Sequence, residues 1–273
     1  MPESTWELPG PAWLFCPADR PERFAKAAAA ADVVILDLED GVAPGDKSAA
    51  REALVFTPLD PERTVIRVNA AGTAEHSLDL RALAATGYRR LMLPKAESAA
   101  QITALAGFEV VALVESPLGA LAVAEVAAAD NAIGVMWGAE DLVAGLGGTS
   151  SRRPDGSYRD VAVHVRAATL LTAKAAGKLA LDAVYLDISD SDGLRAESED
   201  AVASGFDIKV AIHPSQVAVI RSAYAPSEEE ISWARRVLAE VPNHRGVFAF
   251  EGRMVDGPVL LHARKLLRRA RRE

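Results

Sequence analysis

A barrel of eight strand–helix units, (β/α)8, is the fold this sequence predicts, and three observations predict it. Eight short runs are continuously apolar rather than alternating, as parallel strands covered on both faces are. An alanine-rich, helix-favouring segment follows each run. No GxGxxG turn follows the first run, where an open dinucleotide-binding sheet, the main competing α/β architecture, would carry one.

Taken in order, the run 12–16 (AWLFC) leads into a helix over 21–31, 33–38 (VVILDL) into 47–56, 64–68 (TVIRV) into 75–86, and 90–93 (RLML) into 98–106. The alternation continues with 109–114 (EVVALV) into 117–129 and 132–137 (AIGVMW) into 160–177, with an irregular stretch at 147–159 between these last two. The seventh and eighth units are 183–186 (AVYL) with 194–204 and 207–212 (DIKVAI) with 214–224. Beyond them, Ser227 and Glu230 form a capping-box pattern that opens a helix running to about Val241. Val255, Val259, Leu260, Ala263, Leu266, Leu267 and Ala270 then recur at helical spacing, so the last helix has an apolar face in need of a docking surface. The predicted division is a barrel over 1–225 and a helical extension over 226–273.

Half of the 273 residues are hydrophobic and a quarter are charged, enough to bury one barrel-sized core. A net charge of −8 argues against nucleic acid or an anionic membrane as partner and favours a small-molecule ligand. The basic segment 264–273 reads as a complement to a helix C-terminus or as solvated charge. A lone cysteine, Cys16, excludes an intramolecular disulfide, and its place after an apolar run suits a buried, inert thiol. The N-terminal segment lacks a basic-then-apolar leader pattern, and no apolar run approaches the ~20 residues of a membrane span, so cytoplasmic residence is the expectation. Trp13, Trp137 and Trp233 read as core or interface residues, and His213, just before Pro214, as a helix-start residue.

The chemistry lies at the ends of the apolar runs. Asp37, Glu39 and Asp40 follow VVIL, Arg67 follows TVI, Glu115 follows VVALV, and Glu140 and Asp141 follow VMWGA. Strand ends of a barrel converge on one rim, where the loops build the site. Glu115 and Asp141 supply two hard oxygen ligands, a set that with added waters suits Mg²⁺, and Glu39 and Asp40 are placed to hold the metal's waters. The competing reading makes each acid a cap for the helix that follows. Arg67 has two readings as well: a bidentate grip on a substrate carboxylate, or an internal salt bridge to Glu39 or Asp37. A metal beside an arginine suits an α-keto acid or its enolate.

FCPADRPERFAKA (15–27), ILDLEDGVAPGDKSAAR (35–51), IRVN (66–69), MLPKAES (92–98), ALVESPLGA (112–120), WGAEDL (137–142), IHPSQ (212–216) and GRMVDGPVLLHA (252–263) together resemble the citrate lyase β-subunit-like proteins of the HpcH/HpaI aldolase group, which includes citramalyl-CoA and malyl-CoA lyases. The resemblance spans nearly the whole chain. It implies Glu115 and Asp141 as Mg²⁺ ligands, Arg67 as the keto-acid carboxylate binder, and Glu39 and Asp40 as water-mediated metal contacts with a part in catalysis. It implies that Asp256 does acid–base work from a neighbouring subunit, and hence a homotrimer whose extension reaches that subunit's site. A coenzyme A thioester needs positive groups for its phosphates, for which Arg20, Arg23, Lys26 and Lys47 are candidates, with Arg152 and Arg153 on a glycine- and serine-rich loop that is a candidate lid.

The expected activity is an Mg²⁺-dependent, reversible cleavage of a 3-hydroxy-acyl-CoA thioester such as citramalyl-CoA or malyl-CoA. It releases a short keto acid (pyruvate, glyoxylate or oxaloacetate) and an acyl-CoA. Two alternatives stand beside it: a malate-synthase-like condensation followed by thioester hydrolysis, and a citrate lyase β-subunit-like component that acts on a carrier-protein thioester or lacks stand-alone catalysis.

Overall fold

The computed structural model describes Trp6, residues 8–244 and residues 246–270. Eight parallel strands close into a barrel: β1 Ala12–Pro17, β2 Val33–Asp37, β3 Thr64–Arg67, β4 Arg90–Leu93, β5 Glu109–Val114, β6 Ala132–Trp137, β7 Leu179–Asp182 and β8 Ile208–Ala211, with β8 pairing back to β1. The helices are α1 Phe24–Ala30, α2 Lys47–Phe56, α3 Ala74–Leu83, α4 Ala99–Thr103, α5 Pro117–Ala128, α6 Ala139–Gly145, α7 Asp160–Ala175, α8 Ser191–Ser204 and α9 Pro214–Tyr224. Trp13, Val33, Ile35, Val65, Met92, Val111, Leu113, Met136, Leu181, Ile208 and Val210 form one buried cluster. They alternate along their strands with residues that face the helices, so the barrel is a packed core whose function is confined to its rim.

Two differences from the sequence expectation have physical causes. The seventh strand is LALD at 179–182 rather than AVYL at 183–186. Asp182 interrupts the apolar run, which reads as a strand end, yet it is fully buried because Trp137, Arg166 and Lys209 all satisfy it. The short helix α6, absent from the expectation, places Glu140 and Asp141 in its first turn, where negative charge is favoured.

Residue contacts divide the chain into two compact units, 1–220 and 221–273. In the second unit, α10 (Glu228–Glu240) starts at the expected capping box: Ser227 Oγ accepts from Glu230 N and Glu230 Oε2 accepts from Ser227 N. The FAFEGRM segment is a two-strand hairpin, β9 Phe248–Phe250 and β10 Arg253–Val255, turned by Glu251 and Gly252 at φ 48° and 76°. Two consecutive left-handed residues make the tight turn whose twist matches antiparallel strands. Val255 therefore belongs to β10, and the last helix, α11, runs from Gly257 to Ala270. Ala234, Val237, Phe248, Val255, Ala263 and Leu266 form this unit's own core, with Trp233 packed against it. Of the basic C-terminal segment, 271–273 lie outside the described residues, as do 1–5 and 7 of the N-terminal segment.

Candidate active site

The site begins at the C-terminal end of β2. Asp37 is buried, and both its oxygens organise the turn that follows: Oδ1 accepts from Glu39 N at 2.9 Å and Oδ2 from Gly41 N at 2.8 Å. A Cβ at position 41 would lie 2.3 Å from Oδ2, so only glycine permits this turn. Asp37 is also in register with Arg67 at the end of β3, and the two make a bidentate pair, Nε–Oδ1 2.7 Å and Nη2–Oδ2 2.6 Å. Arg67 Nη1 lies 3.2 Å from Glu39 Oε2, and its guanidinium covers the Phe15 ring at 4.6 Å. The internal-pair reading of Arg67 is thus correct, and the guanidinium is also left pointing along the rim beside the other acids.

The remaining acids meet around a lysine. Lys95, just after β4, places Nζ 2.5 Å from Glu39 Oε1, 3.4 Å from Asp40 Oδ2, 3.6 Å from Asp141 Oδ1 and 4.0 Å from Glu115 Oε1. Its backbone N–H donates to Glu115 Oε1 at 3.1 Å. Glu115 reaches the cluster because residue 138 is glycine: a Cβ there would lie 2.8 Å from Glu115 Cβ and Oε2. Asp141 enters from α6, and the neighbouring Glu140 is held away by Ser151, whose hydroxyl donates to Oε1 at 2.6 Å. Glu39, Asp40, Glu115 and Asp141, far apart in sequence, are therefore brought together, with Arg67 beside them.

The electrostatics are unbalanced. Burial, then repulsion from Asp141 and Glu39, push Glu115 up to about 8, against the pull of Lys95 and Arg67. Burial also raises Glu39 despite Arg67 and Lys95. For Lys95 and Arg67, burial favours the neutral form, but the surrounding carboxylates outweigh it and hold both cations firmly charged. Among the described residues, no three Asp, Glu, His or Cys side chains enclose a metal by themselves. Two carboxylates completed by waters suit a small hard cation of the Mg²⁺ type, and the Lys95 ammonium already sits where four carboxylates converge on positive charge. The residues present fit a divalent ion.

The other candidate residues differ in what they touch. Arg20 and Lys26 are solvent-exposed at the β1–α1 junction, where Arg20 pairs with Asp19. Lys47 donates to Leu38 O, Glu39 O and Asn69 Oδ1 at 2.8, 3.0 and 2.7 Å, so all three of its N–H bonds brace the turn that carries Glu39. In this structure those bonds make Lys47 a support for the turn. Arg152 and Arg153 are tied down as well, Arg152 to Glu197 and Tyr158 and Arg153 to Asp160 and the Tyr158 carbonyl, so the 147–159 stretch is an anchored loop. Asp256 lies in the second unit, where Oδ1 accepts from Val259 N at 3.3 Å and caps α11. Cys16 is buried, and burial raises its thiol to about 11, consistent with an inert side chain.

Sequence reading names Asp37 among the rim acids and as a partner for Arg67 but not its hold on the turn after β2, and it does not single out Lys95, the central cation. Lys95 carries φ 50°, a left-handed conformation unusual for a residue with a side chain, and nothing in the sequence announces that.

Comparison with known proteins agrees with this geometry. The family model for HpcH/HpaI aldolase/citrate lyase matches residues 12–214, the barrel. A citrate lyase subunit beta-like protein of Mycobacterium tuberculosis is 67% identical over 96% of each chain. Human mitochondrial citramalyl-CoA lyase is 32% identical, covering 94% of this chain and 84% of its own. The crystal structure of CitE from Mycobacterium tuberculosis in complex with magnesium, acetoacetate and coenzyme A superposes with a TM-score of 0.92 at 67% identity, covering 96% of this chain and 98% of that one. With the family model spanning the barrel and similarity running through the extension, the chain belongs to the HpcH/HpaI aldolase/citrate lyase family.

Proposed function

We propose that this protein is an Mg²⁺-dependent carbon–carbon lyase that cleaves a 3-hydroxy-acyl-CoA thioester into a short keto acid and an acyl-CoA. The observation that carries this reading is the convergence of Glu39, Asp40, Glu115 and Asp141 on one cation position beside Arg67, at the rim where a barrel builds its site. Its relative CitE holds magnesium, acetoacetate and coenzyme A, which supports the same ligand classes here.

Glu115 and Asp141 would hold Mg²⁺, with Glu39 and Asp40 orienting its waters. When bound, the ion polarises the keto or hydroxyl oxygen of the substrate and stabilises negative charge there. Arg67, fixed by Asp37 through Nε and Nη2, would offer Nη1, which otherwise lies against Glu39, to the substrate carboxylate and set the reacting bond against the acids. Arg20 and Lys26 are the exposed cations for the coenzyme's phosphates. Asp256, supplied by a neighbouring subunit of a homotrimer, exchanges the proton at the thioester α-carbon.

The test is turnover of purified protein on a panel of 3-hydroxy-acyl-CoA thioesters, read by mass spectrometry with and without Mg²⁺. Release of pyruvate, glyoxylate or oxaloacetate with Mg²⁺ only, abolished in Asp141→Ala, is the expected result and names the acyl group. No cleavage across the panel with folded, Mg²⁺-saturated protein contradicts a stand-alone CoA lyase and turns the question to a carrier-protein thioester. Loss of turnover in Asp256→Asn, restored by mixing with Asp141→Ala protein to form hybrid oligomers, is expected if Asp256 acts across subunits.

A further inference from the structure

Two lysines reach the rim, and they differ in what they touch. Lys47 spends its donors on two backbone carbonyls and an amide oxygen, a neutral set that a fixed support requires. Among the described residues, the groups that Lys95 Nζ meets are carboxylates, and all four belong to the candidate metal cluster. Arg67 pairs with Asp37 and also reaches Glu39, so two cations face five acids, and Lys95 is the one that lies within 4.0 Å of Asp40, Glu115 and Asp141. The Lys95 side chain is 36% exposed, which gives the ammonium a path out to solvent, and its backbone is held left-handed at φ 50° with its N–H on Glu115.

We propose that Lys95 is an exchangeable counterion. Its ammonium holds the four carboxylates in place before the divalent ion binds, and it leaves the cluster when the ion arrives. Lys95 is then a positioning residue that sets metal affinity, and its charge competes with the metal for the same oxygens. The proposal rests on the reading of this cluster as the metal centre. It explains why a non-glycine residue keeps a strained backbone here: the strain aims both the N–H and the ammonium into the cluster.

Calorimetric Mg²⁺ titration of metal-stripped protein at about pH 8.5 and low ionic strength, on the wild type, Lys95→Met and Lys95→Arg, tests this, together with the melting temperature without metal. Removing the competing charge is expected to tighten Mg²⁺ binding about tenfold in Lys95→Met while lowering its metal-free melting temperature, with Lys95→Arg close to wild type. Equal or weaker Mg²⁺ binding by Lys95→Met overturns the proposal. Should Lys95→Met fail to fold, Lys95→Gly removes the ammonium while relieving the left-handed backbone, and the same comparison applies. Absence of Mg²⁺ binding by the wild type overturns the metal-centre reading itself, an outcome distinct from bound metal that ignores Lys95.

Discussion

Two charged networks in this barrel use the same residue types to opposite ends. The outer one lies between the strands and the helices: Asp182 takes bonds from Trp137, Arg166 and Lys209, and Glu197 takes bonds from Lys209 and Arg152, with Asp200 completing Arg166. Three acids there face three bases. Burial alone would raise Asp182, but Lys209 and Arg166 outweigh it and hold the carboxyl below its ordinary range. At the rim, among the described residues, Asp37, Glu39, Asp40, Glu115 and Asp141 face two cations, Arg67 and Lys95, and Glu115 and Glu39 are driven upward. A balanced buried network stabilises the fold, whereas an unbalanced one stores a demand for positive charge that a ligand can meet.

The sharpest way to break this comparison is to unbalance the outer network. Lys209→Met leaves Asp182 buried without its ammonium and is expected to cost about 3–5 kcal/mol in urea unfolding, enough to threaten folding. Asp141→Ala at the rim is expected to do the reverse: metal-free stability holds or rises because repulsion of Glu115 is relieved, while Mg²⁺ affinity falls by about 100-fold or more. Calorimetry and thermal melts on the same samples check both.

The two networks also respond to pH with opposite sign. Asp182 is depressed, so its contribution is present above the ordinary aspartate range and is lost as pH falls through its lowered folded value. Glu115 is raised from 4.5 to about 8, so the unfolded chain releases this proton first, and metal-free stability declines as pH rises between those values. Glu115→Gln is expected to flatten that decline, a change of roughly a few kcal/mol across the window in unfolding experiments run at several pH values. With Glu115 as the proposed Mg²⁺ ligand, the ion displaces the same proton, so wild-type affinity is expected to climb with pH and level off above about 8. The smallest effect belongs to the exposed cations: Arg20→Ala or Lys26→Ala is expected to raise KM for a CoA thioester by about two- to fivefold at unchanged kcat, and less at high salt.

The same contrast explains what the sequence made legible. Continuous apolar runs such as VVILDL and EVVALV identify buried parallel strands, and the acids after them mark the rim, because a charge just past an apolar run has few other places to go. Glu39, Asp40, Glu115 and Asp141 were readable for that reason. The seventh strand was not, because burial of Asp182 depends on partners at 137, 166 and 209 that sequence distance conceals. Lys95 and Lys47 look alike in sequence, and only three-dimensional acceptors separate a counterion from a support. The β9–β10 hairpin escaped notice because its turn uses Glu251 in a left-handed conformation that glycine or asparagine more often announces.

The most direct test of the rim as a metal centre is anomalous scattering from crystals soaked in Mn²⁺, which stands in for Mg²⁺. One peak at about 2.0–2.2 Å from carboxylate oxygens of Glu115 and Asp141, with Arg67 still paired to Asp37, is the predicted result. A peak elsewhere, or none at full Mn²⁺ saturation, would contradict the assignment of these two acids as the metal ligands.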